Sequence, residues 1–184
     1  MSERKVYVKN DIISLAEYLQ KDYQELYDGW LDEEVQRGYN FKWNKSFEQY
    51  LAESLEREEL NYTSNCAIIL NENNQLIGAI GVSRYPAEPY DMSIRVFKPY
   101  RSQGFGTIAF ALGVKYCFDI LKLDKMYAGC YPDNIRSMKM IEKCGFVPHP
   151  EGNIQSKHYI TGEPVTQLDF VLTRENYNKI DSED

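Results

Sequence analysis

Long apolar runs are missing from this 184-residue chain. No segment approaches the roughly 18 uninterrupted apolar residues that a membrane span requires. The opening MSERKVYVKND has no apolar stretch of the kind a secretory signal carries. Neither insertion in a membrane nor export is expected. Cysteine is scarce, with four in all: Cys66, Cys117, Cys130 and Cys144. None forms a C-x-x-C pair, which argues against a disulfide scaffold or a zinc ribbon, and they read as reduced core thiols of a cytoplasmic protein. There are two histidines, His149 and His158, without ligand spacing, so no metal is expected. Linkers, internal repeats and low-complexity tracts are also missing, and the whole of 1–184 is expected to form one domain. A formal charge of −7 lacks the basic face that a duplex binder needs, so nucleic acid is not expected as a partner.

What is present is a globular composition, 43% apolar and 27% charged, in a chain long enough to bury a core. Its charge is uneven. Residues 1–60 carry 14 acids against 8 bases, whereas residues 91–147 carry 5 acids against 9 bases. One part would attract a cation and the other an anion.

Periodicity predicts a strand at 5–9 and a helix from Asp11 to about Tyr27, with Ile12, Leu15, Leu19 and Leu26 on one side. An irregular aromatic stretch follows, with Trp30, Tyr39, Phe41 and Trp43. Ser46 and Gln49 form an S-x-x-Q capping box that opens a second helix, whose stripe is Phe47, Tyr50, Leu51 and Leu55. Strands are predicted at Cys66–Leu70, Gln75–Ser83, Met92–Phe97 and Met126–Cys130. Helices are predicted at Phe105–Leu123 and Asn134–Cys144, the latter closed by Gly145. Two last strands, near Lys157–Ile160 and Gln167–Leu172, flank a turn at Thr161-Gly-Glu-Pro164. The strand–helix–strand unit in the middle implies a parallel crossover.

The stretch with the most chemistry is YRSQGFGT, residues 100–107. Gly104 and Gly106 stand where a strand gives way to a helix. Amides around Gln103, Gly104, Phe105, Gly106 and Thr107 at a helix start would hold a diphosphate, with Arg101 adding a charge-assisted bond. A tight strand-to-helix turn is the competing reading. A P-loop is excluded because no lysine follows Gly106. A dinucleotide fingerprint is excluded because the third glycine is absent and the strand is not the first.

Arg101-Ser-Gln-Gly104-Phe-Gly106 resembles the R/Q-x-x-G-x-G/A signature of the GNAT (GCN-five-related N-acetyltransferase) family. Asn134-Ile-Arg-Ser137 with Glu142-Lys-Cys-Gly145-Phe146 resembles the second cofactor helix of its RimJ/RimL-like branch, and so do His158-Tyr-Ile-Thr-Gly162 and Gln167-Leu-Asp-Phe170 at the close. The resemblance is strongest over 91–173. It implies an α/β single-domain mixed sheet, splayed between its fourth and fifth strands, with helices on both faces. Acetyl-CoA would enter that split as co-substrate, with no metal. The main chain of Val96 and Phe97 would pair with the pantetheine arm, and the loop from Arg101 through Ser102, Gln103, Gly104, Phe105 and Gly106 to Thr107 would hold the pyrophosphate. Asn134 would bond the pantetheine and Ser137 would lie near the sulfur, with a plain helix cap as the alternative for Asn134. The cofactor-binding core would cover 91–147, and the acceptor side the helices within 11–59.

The implied activity is direct transfer of acetyl from acetyl-CoA to a primary amine, either a peptide or protein α-amine or a small cationic amine. The chain departs from the commonest pattern at two places: Ile141 stands where many members carry a tyrosine acid, and Gly129 where some carry a glutamate base. That leaves open a CoA-binding regulatory module with weak turnover, and a homodimer is also left open. His158 is the expected base by resemblance, and Ser137 the group near the departing sulfur. Acidic walls with Trp30, Tyr39 and Trp43 would suit a cationic amine. Deprotonating an amine of pKa about 10.4 at pH 7 costs about 4.6 kcal/mol, and an α-amine near 8 about 1.4 kcal/mol, which favours the α-amine in a weakly equipped site.

Overall fold

Continuous apolar runs along Cys66–Leu70 and Gln75–Ser83, broken by the polar turn between them, build the hairpin at the centre of a nine-stranded sheet. The structure, a computed structural model, describes residues 4–83 and 90–181; residues 1–3, 84–89 and 182–184 of the expected domain lie outside them. The strands are β1 (Val6–Lys9), β2 (Ile13–Ala16), β3 (Cys66–Leu70), β4 (Gln75–Ser83), β5 (Asp91–Val96), β6 (Lys125–Cys130), β7 (Val147–Pro148), β8 (Ile154–Lys157) and β9 (Pro164–Thr173). They lie in the order β1-β2-β3-β4-β5-β6-β9-β7, with β8 paired to the near end of β9. Every pair is antiparallel except β5 and β6. Those two share a single register point, Asp91 with Tyr127, and part beyond it. This is the splay expected between the fourth and fifth strands, displaced by one in number because β2 was not foreseen.

The helix expected over 11–27 is not there. Its first half is β2, which lies between β1 and β3 and is buried at all four positions. Ile13 and Leu15 enter the larger core, and Ala16 enters the core on the opposite face. A strand covered on both faces reads as a continuous apolar run, and its periodicity does not distinguish it from a helix. The Leu19 amide donates to Asp22 Oδ2 at 2.7 Å, opening a 3₁₀ turn, and the helix proper is α1 (Tyr23–Leu31). A second helix, α2 (Glu33–Tyr39), lies in the segment expected to be irregular. It is capped by Asp32, whose Oδ1 accepts the Glu34 and Val35 amides.

Helix α3 (Phe47–Glu59) begins as its capping box requires, with Ser46 and Gln49 bonded reciprocally. It buries none of its residues fully, and Leu55 is exposed. Helix α4 (Phe105–Lys115) continues into a wider π turn through Ile120 that buries Tyr116, Cys117 and Phe118. Helix α5 (Ile135–Lys143) is capped by Asn134 and ends before Gly145, whose φ of +86° explains the glycine. The strand expected at Lys157–Ile160 sits about three residues earlier as β8. His158 to Gly162 instead form the turn, where the Gly162 amide donates to the His158 carbonyl at 2.8 Å. Helix α6 (Arg174–Asp181) closes the described chain.

The two helical layers differ. Helix α4 packs over the larger core, which includes Ile68, Ile77, Ile80, Met92 and Phe110. Helix α1 lies on the opposite face over a smaller core of Ala16, Leu26, Ala67, Ile69, Leu76 and Ala79. Helices therefore cover both faces as expected. The four cysteines are free thiols, and burial pushes the Cys117 thiol up to about 12. Among the described residues no helix is long and apolar enough to cross a membrane.

Candidate active site

The divergence of β5 from β6 opens a cleft of about 500 Å³. Alternation decides which backbone groups face it. The Phe97 amide donates to the Ile77 carbonyl of β4 at 2.8 Å, so odd-numbered residues of β5 bond within the sheet and even-numbered ones turn toward the cleft. The Ile94 carbonyl accepts the Tyr39 hydroxyl at 3.1 Å and the Val96 carbonyl accepts Arg101 Nε at 2.8 Å. Val96 thus stands where a pantetheine arm was expected. Phe97 does not: its amide is taken by Ile77, its carbonyl by the Tyr100 amide, and its ring packs in the smaller core.

At the mouth of the cleft the chain turns through Ser102 (φ +62°) and Gly104 (φ +85°) before α4 begins. Left-handed backbone explains the glycine at 104, where added bulk would meet nothing within 4 Å. At Gly106 the surroundings matter more, since a Cβ would stand 3.7 Å from Val96 Cγ2 on the cleft wall. The amides from Ser102 to Thr107 have no acceptor among the described residues. They gather at the N-terminus of an eleven-residue helix, a fit for diphosphate oxygens. Ser102, Gly104, Gly106 and Thr107 line the cleft. Gln103 donates from Nε2 to the Pro99 carbonyl at 2.9 Å, and Phe105 packs on the larger core, so these two offer their amides only.

Arg101 differs from expectation. It lines the cleft, but its guanidinium bonds Asp32 Oδ1 at 3.2 Å and Glu34 Oε2 at 2.5 Å besides the Val96 carbonyl. Its charge ties the start of α2 to the end of β5. Burial acts to raise the Asp32 carboxyl, but Arg101 and the amides of Val35 and Glu34 outweigh it and hold the group below its ordinary value.

On the far wall Asn134 and Ser137 sit in the first turn of α5. Asn134 Oδ1 accepts the Ser137 amide at 3.1 Å, so the helix-cap reading is realised while both residues still face the cleft. Ile141 is 1% exposed and closes the wall with an apolar side chain. Gly129 lacks a side chain because Gln167 of β9 fills that space: an added Cβ would collide with the Gln167 amide.

His158 is not brought to the site. It is not among the residues lining the cleft, and its Nδ1 accepts the amides of Ile160 and Thr161 at 3.3 and 3.2 Å. A ring nitrogen committed to its own turn explains the histidine without catalysis. Among the titratable groups that line the cleft is Asp91, at the fork of the two strands. The residue is exposed to solvent at the fork, yet desolvation by the protein packed around it, and then the nearby Asp169 charge, push its carboxyl up to about 6. Asp169 itself bonds His149 Nδ1 at 2.7 Å. Sequence reasoning missed Asp91; the available signal was an acid opening the strand that leads into the glycine loop.

A second cavity of about 430 Å³ lies between β4–β5 and the helices α1 and α3, sharing Tyr39, Ser93 and Arg95 with the cleft. Aromatic rings form much of its wall. Trp30 and Trp43 stack at 5.2 Å with an interplanar angle of 4°, and Tyr39 meets Trp30 edge-on at 5.1 Å. The acids expected here are elsewhere: Asp22 pairs with Arg4, and Asp32 and Glu34 pair with Arg101. Among the described residues Lys42, Lys45, Arg57 and Arg95 line the cavity together with one acid, Glu53.

Residues 13–147 match the model of an acetyltransferase (GNAT) domain. A Bacillus subtilis (strain 168) protein named "Probable N-acetyltransferase YjcK" is 30% identical over 115 residues, 61% of this chain and 62% of the relative, so the chain spans under two thirds of that protein's length. A second Bacillus subtilis (strain 168) protein, the "SPbeta prophage-derived uncharacterized N-acetyltransferase YokL", is 24% identical over 131 residues, 70% of each chain. The spermidine N-acetyltransferase from Vibrio cholerae, solved in complex with CoA and spermine, superposes with a TM-score of 0.82 at 18% identity, over 92% of this chain and 99% of that one.

Proposed function

The chain belongs to the GNAT acetyltransferase family, and on that premise we propose that it is an acetyl-CoA-dependent N-acetyltransferase acting on the primary amine of a small molecule. One observation carries the reading. The sheet opens at a single point between its parallel strands, and the mouth of that opening presents six consecutive amides, Ser102 to Thr107, that have no acceptor among the described residues. The Asn134–Ser137 cap and the turn after His158 support the RimJ/RimL-like branch within the family.

In this reading the loop amides hold the diphosphate, and the cleft edge of β5 at Val96 lies along the pantetheine arm. The amine arrives through the aromatic cavity, whose volume suits a small acceptor and which meets the cleft at Tyr39, Ser93 and Arg95. That the Vibrio cholerae protein of the same fold is described with spermine supports a small amine. The nitrogen bonds the carbonyl carbon, the carbon–sulfur bond breaks, and the sulfur leaves with the electron pair. Asp91 takes the proton from the ammonium. A carboxyl near 6 is ionised at neutral pH and more basic than an ordinary aspartate, which suits the task. Ser137 is placed on the far wall to donate to the departing sulfur, where Ile141 offers no phenol.

The replacements at Ile141 and Gly129 favour one other reading, a module that binds CoA without turning it over. Calorimetry with acetyl-CoA and then a free-thiol release assay with an amine panel test both. Micromolar binding followed by amine-dependent thiol release supports transfer. Binding with no release above background supports the module, and a folded protein that binds nothing contradicts both.

A further inference from the structure

Among the described residues Arg95 is a buried cation without a carboxylate. It is 7% exposed, and its Nε has no hydrogen-bond partner among them. One terminal nitrogen reaches the Leu26 carbonyl at a long 3.3 Å, and the guanidinium carbon lies 3.8 Å from the centroid of the Trp30 ring. The titratable groups that sense its charge include three phenols, Tyr18, Tyr39 and Tyr50, which burial keeps protonated. Arg4 and Arg101, by contrast, each hold carboxylates. A guanidinium taken out of water without a counter-charge is costly, and the arrangement is completed when an anion arrives.

Among the described residues the lining of the cavity around it holds one acid, Glu53, and that is already paired with Lys45. Alternation along β5 puts Asp91, Ser93 and Arg95 on one face, in a row about 13 Å long at the backbone. The row runs from the fork of the cleft into the aromatic cavity, with an acid at one end and an unpaired base at the other.

We propose that the acceptor is a primary amine that also bears a carboxylate, an amino acid or close analogue, whose carboxylate pairs with Arg95 while its amine faces the Asp91 end of the row. This rests on the transferase reading and names its substrate class. A polyamine, cationic at every nitrogen, would set an ammonium against Arg95. An amino acid's α-amine is also the cheaper one to deprotonate.

The test uses matched sets: phenylalanine, leucine, glutamate and γ-aminobutyrate, each beside its carboxamide or the amine lacking the carboxylate, with spermidine as the cationic reference. Each is titrated by calorimetry onto the CoA-saturated protein and assayed for acetyl-CoA-dependent thiol release. At least one carboxylate-bearing amine should bind tenfold or more tightly than its uncharged partner. Arg95→Met should abolish that difference, and Arg95→Lys should keep part of it. Where Arg95→Met does not fold, the matched sets on the unaltered protein decide alone. Equal binding within each set, or spermidine as the tightest ligand, overturns the proposal. Preferential binding of the carboxylate-bearing amine with no thiol release leaves the anion site standing and contradicts the transferase reading instead.

Discussion

Gln167 lies across Gly129, with its side-chain amide in the space a Cβ at 129 would need. A longer side chain at 129 would have to displace it, so this wall of the cleft supplies no carboxylate from β6. The base in our account comes from the facing strand, as Asp91.

Asp91 makes the pH dependence specific. Its carboxyl, pushed up to about 6 by desolvation from the surrounding protein and then by Asp169, must be ionised to accept a proton, so kcat/KM should fall below about pH 6. Asp91→Asn should lower turnover by about 10²–10⁴-fold and remove that acid limb, with acetyl-CoA affinity little changed. The stability effect has the opposite sign. A carboxyl whose folded value is raised binds its proton more tightly in the folded state, so its ionisation opposes folding above about pH 6. Asp91→Asn should therefore unfold at a temperature equal to or higher than the unaltered chain at pH 7.5, measured by differential scanning calorimetry.

The two loop glycines should separate stability from binding. Gly104 has room for a side chain but a φ of +85°, so Gly104→Ala should cost about 1–2 kcal/mol of stability in a denaturant titration. Gly106→Val places branched bulk beside Val96 on the cleft wall. It should weaken acetyl-CoA binding at least tenfold by calorimetry, while secondary structure is unchanged by circular dichroism. Unaltered affinity in Gly106→Val would reduce the loop to a turn.

His158→Ala should be nearly silent in catalysis. The side chain accepts two amides of its own turn, so its loss should cost about 0.5–1.5 kcal/mol of stability and leave kcat within threefold. A hundredfold loss of turnover would restore His158 as a base.

Asp32 gives a pH effect of the conventional sign. Its carboxyl is held below the ordinary value by Arg101 and by the Glu34 and Val35 amides, which outweigh burial. That stabilisation is present above the unfolded-state value near 3.9 and is lost as pH falls through the lower folded value. Unfolding midpoints from pH 6 down to pH 3 should drop more steeply for the unaltered chain than for Asp32→Asn.

What could be read in the sequence was what local chemistry decides. Ser46 with Gln49, Asn134, Gly145 and the apolar run of Cys66–Leu70 ending at a polar turn each specify their element through their own neighbours, and all stand where expected. The glycine loop was legible for the same reason. Ile13–Ala16 was not: burial on both faces leaves it without alternation, as in Cys66–Leu70, but no polar turn follows it and Leu15, Leu19 and Leu26 run on at helical spacing. Site residues failed where a partner distant in sequence decides. The carboxylates that hold Arg101 come from α2, 67 and 69 residues earlier, and Phe97 is turned from the cleft by its pairing with Ile77. Asp91 gains its character from the protein packed around it and from Asp169 of β9, and three acids of the first 60 residues, Asp22, Asp32 and Glu34, counted in a wall for a cation, are paired with Arg4 and Arg101 instead.

The most direct measurement of the central claim follows one reaction with two detectors. The folded protein is mixed with acetyl-CoA and the amine panel, and released thiol and N-acetylated amine are quantified together, the second by mass spectrometry. The account predicts equal amounts of both, dependent on the amine and diminished in Asp91→Asn. Acetyl-CoA that binds the folded protein yet yields no N-acetylated product with any amine would contradict it.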